Sequence, residues 1–205
     1  MSWPDLEENK PVYRIMSFDP AIGDMGVCVA DFDVAARKFR VVYTQTISGP
    51  KFLKYYKSLR KSFKDSFCIL TAYKKFLTEE FIPQWKPDYI ATEGAFFHKF
   101  VATLISLTLV NNVIRSSSRD TIGRDIFVVA PMTTKKNTAK RGDAGKGAVA
   151  EAVMNHPNIE YGNDFLVWDA LTDHEFDAIG HGFSFCVNKW MPDLYPKKDK
   201  KKKNK

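Results

Sequence analysis

Two acidic side chains end short apolar segments, at places where packing does not explain a carboxylate. Asp19 ends the segment YRIMSFD before Pro20, and Glu93 ends the segment PDYIATE before Gly94. Both segments are typical of β-strands. If the two strands are neighbours, the acids converge at the sheet edge where open α/β folds place their sites, and a metal ion would relieve their repulsion. Asp19 taken alone also fits a turn aspartate before proline.

A second pair, His174 and Asp177, lies three residues apart in the segment DALTDHEFDAIGHG. At the start of a helix this spacing puts both side chains on one face, where both can point at a common ion. An HxxD pair taken alone is more often a surface pair than a metal site. Asp173 is a candidate helix cap. His181 shares the face as a spare ligand, for which a structural role is favoured.

Together, Asp19, Glu93, His174 and Asp177 offer mainly oxygen ligands, which Mg²⁺ and Mn²⁺ prefer. Such a set can hold two ions about 4 Å apart, one activating water and the other stabilising the leaving oxygen of a phosphodiester. The sequence therefore predicts metal-assisted hydrolysis of a nucleic-acid backbone. It contains no GxSxG, P-loop or GxGxxG motif that would indicate another chemistry.

The elements that must position these residues follow from hydrophobic patterning. Strands are predicted at 12–19, 26–32 and 39–47, joined by short turns, and further along at 88–93 and 124–130. Helices are predicted at 52–81, 100–115, 145–155 and 174–188. Three antiparallel strands, followed by strands that return through crossover helices, form a mixed α/β sheet with helices on both faces. This order is typical of the ribonuclease-H-like fold.

Composition limits the class of protein. The 205 residues, 44% of them hydrophobic, can bury the core of one domain, predicted at 12–192 between an irregular stretch at 1–11 and a disordered basic tail at 193–205. The net charge is +7, and seven lysines and one aspartate at 197–205 supply six of these charges. Binding of an anionic partner therefore depends on local patches.

The cysteines and the N-terminal residues indicate the compartment. Cys28, Cys68 and Cys186 have no metal-ligand spacing and fit core thiols in a reducing environment. Neither a signal peptide nor a membrane span is recognisable. We therefore expect a soluble, cytoplasmic protein in a bacterial, phage-infected or viral context, with nucleus and organelle left open.

The motifs together resemble the RuvC-type Holliday-junction resolvases over about 12–188. The matching segments are FDPAIGDMG at Asp19, EGAFF at Glu93, HEFD at His174 and Asp177, and the basic stretch KKNTAKRGDAGKGAV. The resemblance implies a homodimeric endonuclease with two Mg²⁺ ions per active site, replaceable by Mn²⁺. Asp19, Glu93 and Asp177 would bind the ions, with His174 as the fourth ligand or as a nearby acid–base group. It also implies paired cuts in four-way DNA junctions that leave 5′-phosphates and 3′-hydroxyls.

The basic stretch 135–146 has a net charge of +4. We expect a flexible loop that follows phosphates, with Lys146 at a helix start near the scissile phosphate; a solvated loop is the alternative. The resemblance places Gly142 and Lys146 on family positions and gives Lys146 a catalytic role. The remaining candidate phosphate contacts are Lys135, Lys136, Lys140 and Arg141. Ala21 and Lys140 stand where the family carries glycines, which puts the local turns in doubt.

Further candidate contacts with DNA follow Glu93. Phe96 occupies the position at which the resolvases carry an aromatic residue that wedges or stacks at the junction centre, with Lys99 as a neighbouring phosphate contact. Core packing is the alternative for Phe96. The basic half of the helix at 51–64 is a DNA-binding surface or a solvated face, and the lysine tail is a DNA contact or a localisation signal.

The predicted helix at 100–115 is apolar on nearly all sides and must therefore be covered by other parts of the protein or a partner on two sides. In the resolvase family the corresponding helix forms the homodimer, whereas a core helix in a monomer is the alternative.

Two other functions stay open. One is a nuclease of the same fold acting on flaps or RNA/DNA hybrids, and the other is a branched nucleic-acid-binding module without catalysis.

Overall fold

The computed structural model describes residues 10–52, 65–94, 101–162 and 170–195. In these ranges six strands form one sheet in the order β5-β4-β1-β2-β3-β6. The strands are β1 Val12–Asp19, β2 Asp24–Asp33, β3 Lys38–Ser48, β4 Tyr89–Glu93, β5 Phe127–Val129 and β6 Ile159–Tyr161. The first three are antiparallel, and β4, β5 and β6 run parallel to β1, β4 and β3. The predicted mixed sheet is confirmed.

Helices cover both faces of this sheet, as expected. They are α1 Gly49–Phe52, α2 Asp65–Phe76, a π-helical turn Leu77–Phe81, α3 Ile82–Trp85, α4 Val101–Ile122, α5 Pro131–Ala139, α6 Lys146–Met154 and α7 Asp173–Trp190. None of the described helices is long and apolar enough to cross a membrane. The predicted C-terminal ends of the helices at 52–81 and 100–115 are wrong, because helical backbone continues to Trp85 and to Ile122.

Two elements were not predicted from the sequence. The helix α5 begins at Pro131, a residue favoured in the first turn of a helix, and it contains Lys135 and Lys136. The expectation of a loop from 135 onward is therefore wrong for these two lysines. The strand β6 is a three-residue edge strand paired with β3, too short to give an alternating pattern.

Alternate residues of β1 enter two separate cores. Ile15 packs with the α6 and α7 side chains in one core, whereas Met16 and Phe18 pack with α2 and α4 in the other.

The expected role of the three cysteines as unpaired core thiols is confirmed, since all are buried and free. The chain continues to pack beyond 192, because Tyr195 bonds to His156.

Candidate active site

The first strand and its parallel neighbour bring the two strand-end acids together. Phe18 of β1 pairs with Thr92 of β4, so Asp19 and Glu93 follow at the same edge of the sheet. β1 and β4 are neighbours in the sheet, so the condition for the two acids to converge is met. Both acids line a cavity of about 700 Å³. Four further polar or charged side chains of its lining are Lys135, His174, Asp177 and His181.

A side chain from α4 fixes the end of β4. The amide Nδ2 of Asn111 donates to the carbonyl oxygen of Glu93 over 2.9 Å, and Oδ1 accepts from the Thr92 hydroxyl over 2.9 Å. Buried polar groups need such partners, since leaving one unsatisfied costs about 1–3 kcal/mol. Sequence reasoning missed Asn111, although an asparagine inside an apolar helix was a signal.

A capping box at the start of α7 sets the position of His174 and Asp177. The Thr172 hydroxyl accepts from the N–H of Glu175 over 3.3 Å, and the Glu175 carboxylate accepts from the N–H of Thr172 over 2.7 Å. Thr172 is therefore the cap, and the expectation for Asp173 is wrong. The reason is spacing, because the Thr-x-x-Glu pattern satisfies two helix N–H groups reciprocally.

His174 contacts the first acid directly. Its Nδ1 lies 2.7 Å from Oδ2 of Asp19. An ionised carboxylate only accepts hydrogen bonds, so Nδ1 is the donor. The contact orients the Asp19 carboxylate and joins the strand-end acid to the helix that carries Asp177.

Close contacts seat α7 on the sheet. A Cβ atom at Gly26 would lie 1.9 Å from the carbonyl oxygen of His174, and one at Gly182 would lie 2.5 Å from Oγ of Ser17. The Ser17 hydroxyl also donates to the carbonyl oxygen of Ala178 over 2.7 Å. Glycine within a strand is a signal of close backbone approach, which sequence reasoning did not use at Gly26.

His181 reaches the two acids from α7. One of its ring nitrogens, one oxygen of Asp19 and one oxygen of Glu93 all lie within 4.8 Å of one another, and no other such set of three occurs within the described ranges. Nδ1 lies 2.9 Å from the Thr134 hydroxyl. Burial lowers the pKa of His181 to about 4, opposed by the Asp19 carboxylate. The ring is therefore neutral near pH 7.

The basic candidates lie on α5 and on the turn after it. Lys135 lines the cavity, and Lys136 follows it on α5. Lys140 ends α5 with a φ of 60°, the left-handed conformation that favours glycine. Arg141 pairs with Asp143 over 3.1 Å, and both side chains are exposed.

The remaining sequence candidates are Lys146, Ala21 and residues outside the described ranges. Lys146 is the first residue of α6. Ala21 is not among the described residues with positive φ, so the turn after Asp19 does not require glycine. Phe96, Lys99 and residues 53–64 and 196–205 lie outside the described residues.

Comparisons with known proteins show similarity in sequence and in fold. No family model matches the chain. A curated relative, the crossover junction endodeoxyribonuclease RuvC of Ruminiclostridium cellulolyticum, is 29% identical over 173 residues, which cover 83% of this chain and 92% of the relative.

Two solved structures share the fold. RuvC of Thermus thermophilus in complex with a Holliday junction substrate matches with a TM-score of 0.68 at 17% identity, covering 88% of this chain and 96% of that one. The yeast mitochondrial Holliday junction resolvase matches with a TM-score of 0.54 at 12% identity, covering 91% of this chain and 85% of that one. The fold is thus ribonuclease-H-like. The resemblance expected from the motifs is confirmed, and the chain is similar in sequence and in fold to the RuvC-type crossover junction resolvases.

Proposed function

We propose that this chain is a metal-dependent endodeoxyribonuclease that resolves four-way (Holliday) junctions by paired cuts. The observation that carries the proposal is the convergence of Asp19, Glu93, His174 and Asp177 on one cavity at the edge of the sheet. The sequence similarity to a RuvC endodeoxyribonuclease supports it, as does the fold similarity to RuvC bound to a Holliday junction.

The donors around the cavity fit a hard divalent cation. Asp19, Glu93 and Asp177 supply carboxylate oxygens and His174 an imidazole, a set that suits Mg²⁺ or Mn²⁺. The carboxylates of Asp19 and Glu93, with one oxygen of each within 4.8 Å of the other, repel each other unless a cation offsets their charge. We assign the four residues to two Mg²⁺ ions, with Mn²⁺ as a substitute. When bound, the ions would increase the acidity of water and neutralise charge on the scissile phosphate.

The chain's own groups hold the reacting parts in place. His174 orients the Asp19 carboxylate, and Asn111 holds the backbone of Glu93. Hydrolysis adds the water oxygen to phosphorus and releases the 3′-oxygen with a proton, which gives a 5′-phosphate and a 3′-hydroxyl. We assign binding of the scissile phosphate to Lys146 and Lys135, because a lysine stabilises phosphate charge as a point charge.

Further phosphate contacts extend along α5 and the turn that follows it. We assign them to Lys136, Lys140 and Arg141, and Arg141 has to exchange Asp143 for a phosphate in order to bind. The DNA contacts of Phe96 and Lys99 stay predictions. So does the cytoplasmic location, which the bacterial relative supports.

The first half of α4 supports the homodimer. Val101 and Ile105 are 61% and 53% exposed, and no residue between 101 and 109 is buried in the single chain. Exposed apolar surface of this kind marks an interaction site. We propose that two copies pack here, because a two-fold axis would relate the two sites that make paired cuts. Sedimentation should give a dimer that Ile105→Lys weakens; a monomeric wild type would contradict this assembly.

Cleavage assays with Mg²⁺ test the activity. The substrates are a four-way junction, a linear duplex, a flap and an RNA/DNA hybrid of matched sequence. We expect symmetric paired nicks in the junction. Asp19→Asn and Glu93→Gln should each lower the cleavage rate by about a thousandfold, equivalent to about 4 kcal/mol, while junction binding is retained.

A matched control tests whether the loss of cleavage is specific to the acids that line the cavity. Asp24 is an exposed acid of β2 that does not line the cavity, and Asp24→Asn should cut normally. Cutting of only the hybrid or the flap would identify another nuclease of this fold. Junction binding without any cutting by the wild type would identify a non-catalytic binding module.

A further inference from the structure

His181 has a nitrogen that the proposed function leaves unused. The side chain is 3% exposed and lines the cavity. Its Nε2 is buried without a hydrogen-bond partner among the described residues. Buried polar atoms without partners are rare and call for an explanation, of which a bound ion is one.

Thr134 holds the ring in the arrangement that metal-binding imidazoles use. The Thr134 hydroxyl lies 2.9 Å from Nδ1 of His181, and Thr134 is 2% exposed on α5. A metal-binding histidine donates through one ring nitrogen to a fixed acceptor, and this fixes the lone pair on the other nitrogen. The Thr134 hydroxyl can accept from Nδ1, and in that tautomer the lone pair is on Nε2.

The two histidines of α7 are placed differently. Nδ1 of His174 bonds to Asp19 over 2.7 Å, and the His174 side chain is 34% exposed. His181 instead joins Asp19 and Glu93 in the set of three ligands within 4.8 Å of one another, a set that excludes His174 and Asp177. His174 thus orients an acid, whereas His181 offers a nitrogen of its own to the space between the acids.

We propose that Nε2 of His181 is a direct ligand of a divalent cation that it shares with Asp19 and Glu93. The inference rests on the metal site of the proposed function and adds to it a ligand that the HEFD motif does not contain. An imidazole ligand suits first-row transition ions better than Mg²⁺, which prefers oxygen. The shared ion position therefore selects Mn²⁺ over Mg²⁺ more strongly than an all-oxygen site would.

Mn²⁺ binding to the full chain without DNA tests this ligand. Pulsed EPR detects a ¹⁴N nucleus bound directly to Mn²⁺. The background variant carries His174→Gln, and also His98→Gln because His98 lies outside the described residues. Of the four histidines in the chain, this leaves His181 and His156, and His156 does not line the cavity.

We expect the nitrogen coupling to persist in the background variant and to disappear when His181→Gln is added. By calorimetry, His181→Gln in the wild type should raise the Mn²⁺ dissociation constant about tenfold or more, and the Mg²⁺ constant less than about threefold. His156→Gln is the matched control and should leave both constants unchanged.

Contrary results distinguish a failure of the His181 proposal from a failure of the proposed nuclease function. A coupling that His181→Gln leaves unchanged, or that is absent from a background variant still binding Mn²⁺, overturns the role of His181 and leaves the nuclease proposal standing. A wild type that binds neither ion overturns both. If His181→Gln does not fold, Thr134→Val keeps the ring and should weaken Mn²⁺ binding selectively, by a smaller factor; equal effects on both ions would again overturn the proposal.

Discussion

The two faces of the sheet differ in what they carry, although their residues alternate along the same strands. On the face covered by α6 and α7, β1 presents Ile15 and Ser17 and then Asp19 at its end. On the face covered by α2 and α4, it presents Met16 and Phe18. The acids and the α7 histidines thus belong to one face, and a large apolar core belongs to the other. Adjacent residues of one strand therefore have different roles, since one belongs to the face of the candidate site and the next to the apolar core.

The separation has an exception in Asn111. This residue comes from α4, on the apolar side, and its amide holds the carbonyl oxygen of Glu93. The apolar face therefore supports the site through a hydrogen bond at the strand end, and substitutions on either face test how far the two roles are separate.

The largest effect on stability is expected at Phe18, which is fully buried in the core on the apolar face. Phe18→Ala should lower the free energy of unfolding by about 3–5 kcal/mol, because it removes a large side chain and leaves a cavity. Urea denaturation measures this, and cleavage per folded molecule should be retained. A loss below about 1 kcal/mol would show that this core is not tightly packed.

Asn111→Leu should affect both properties. It removes the amide that bonds to the Thr92 hydroxyl and to the Glu93 carbonyl oxygen, which should cost about 2–3 kcal/mol, and it should slow cleavage because this support of the strand end is lost. Asn112→Leu is the control, since Asn112 is exposed on the same helix. Equal cleavage by the two variants would show that the strand end is fixed without Asn111.

The acid stability of the α7 face should depend on His156. Burial lowers the pKa of His156 to about 4, and its Nε2 lies 2.9 Å from the Tyr195 hydroxyl. The unfolded state binds a proton near the usual pKa of about 6.5, so stability is lost as the pH falls from there toward 4. Between pH 7 and pH 5 this loss is about 2 kcal/mol.

His156→Gln should remove that share of the acid sensitivity. The measurement is the free energy of unfolding in urea at the two pH values. His181 has a similarly lowered pKa, so the variant keeps a remaining slope. An unchanged slope in the variant would show that the pKa of His156 is the same in the folded and the unfolded protein.

Thr172→Ala should have the smallest effect, about 1 kcal/mol of stability, because it removes a helix cap. It should also slow cleavage, since the cap sets the start of the helix that carries His174 and Asp177. Thr71→Ala on α2 is the control, because the Thr71 hydroxyl bonds only within its own helix in the described structure. Unchanged cleavage in Thr172→Ala would mean that the start of α7 keeps its position without the hydroxyl cap.

The sequence predicted the parts of the fold that depend on local pattern. The strand-end acids and the order of elements follow from alternation and from the rules of crossover connections, whereas the pairing of β1 with β4 was only a condition until the structure showed it. The helix α5 was missed because its segment is polar and rich in threonine and lysine, and no apolar stripe indicates a helix. The edge strand β6 was missed because it depends on pairing with β3 rather than on its own three residues.

The candidate site was predictable where a motif carries it. The spacing of His174 and Asp177 indicated a shared face, and the structure brings both to the cavity of Asp19 and Glu93. The place of His181 depends on the hydroxyl of Thr134, 47 residues away in the chain. Long-range contacts of this kind leave no local pattern, so tertiary structure is needed to find them.

The contact of Gly26 with α7 has a consequence for how the protein tolerates change. At this point a strand backbone touches the carbonyl oxygen of His174 without any side chain between them. Cores usually accommodate substitutions by repacking their side chains, but this contact joins two backbones and contains no side chain that could repack. Gly26 is therefore not replaceable by a larger residue without moving α7. The rigid backbone of the sheet thus fixes the position of this helix.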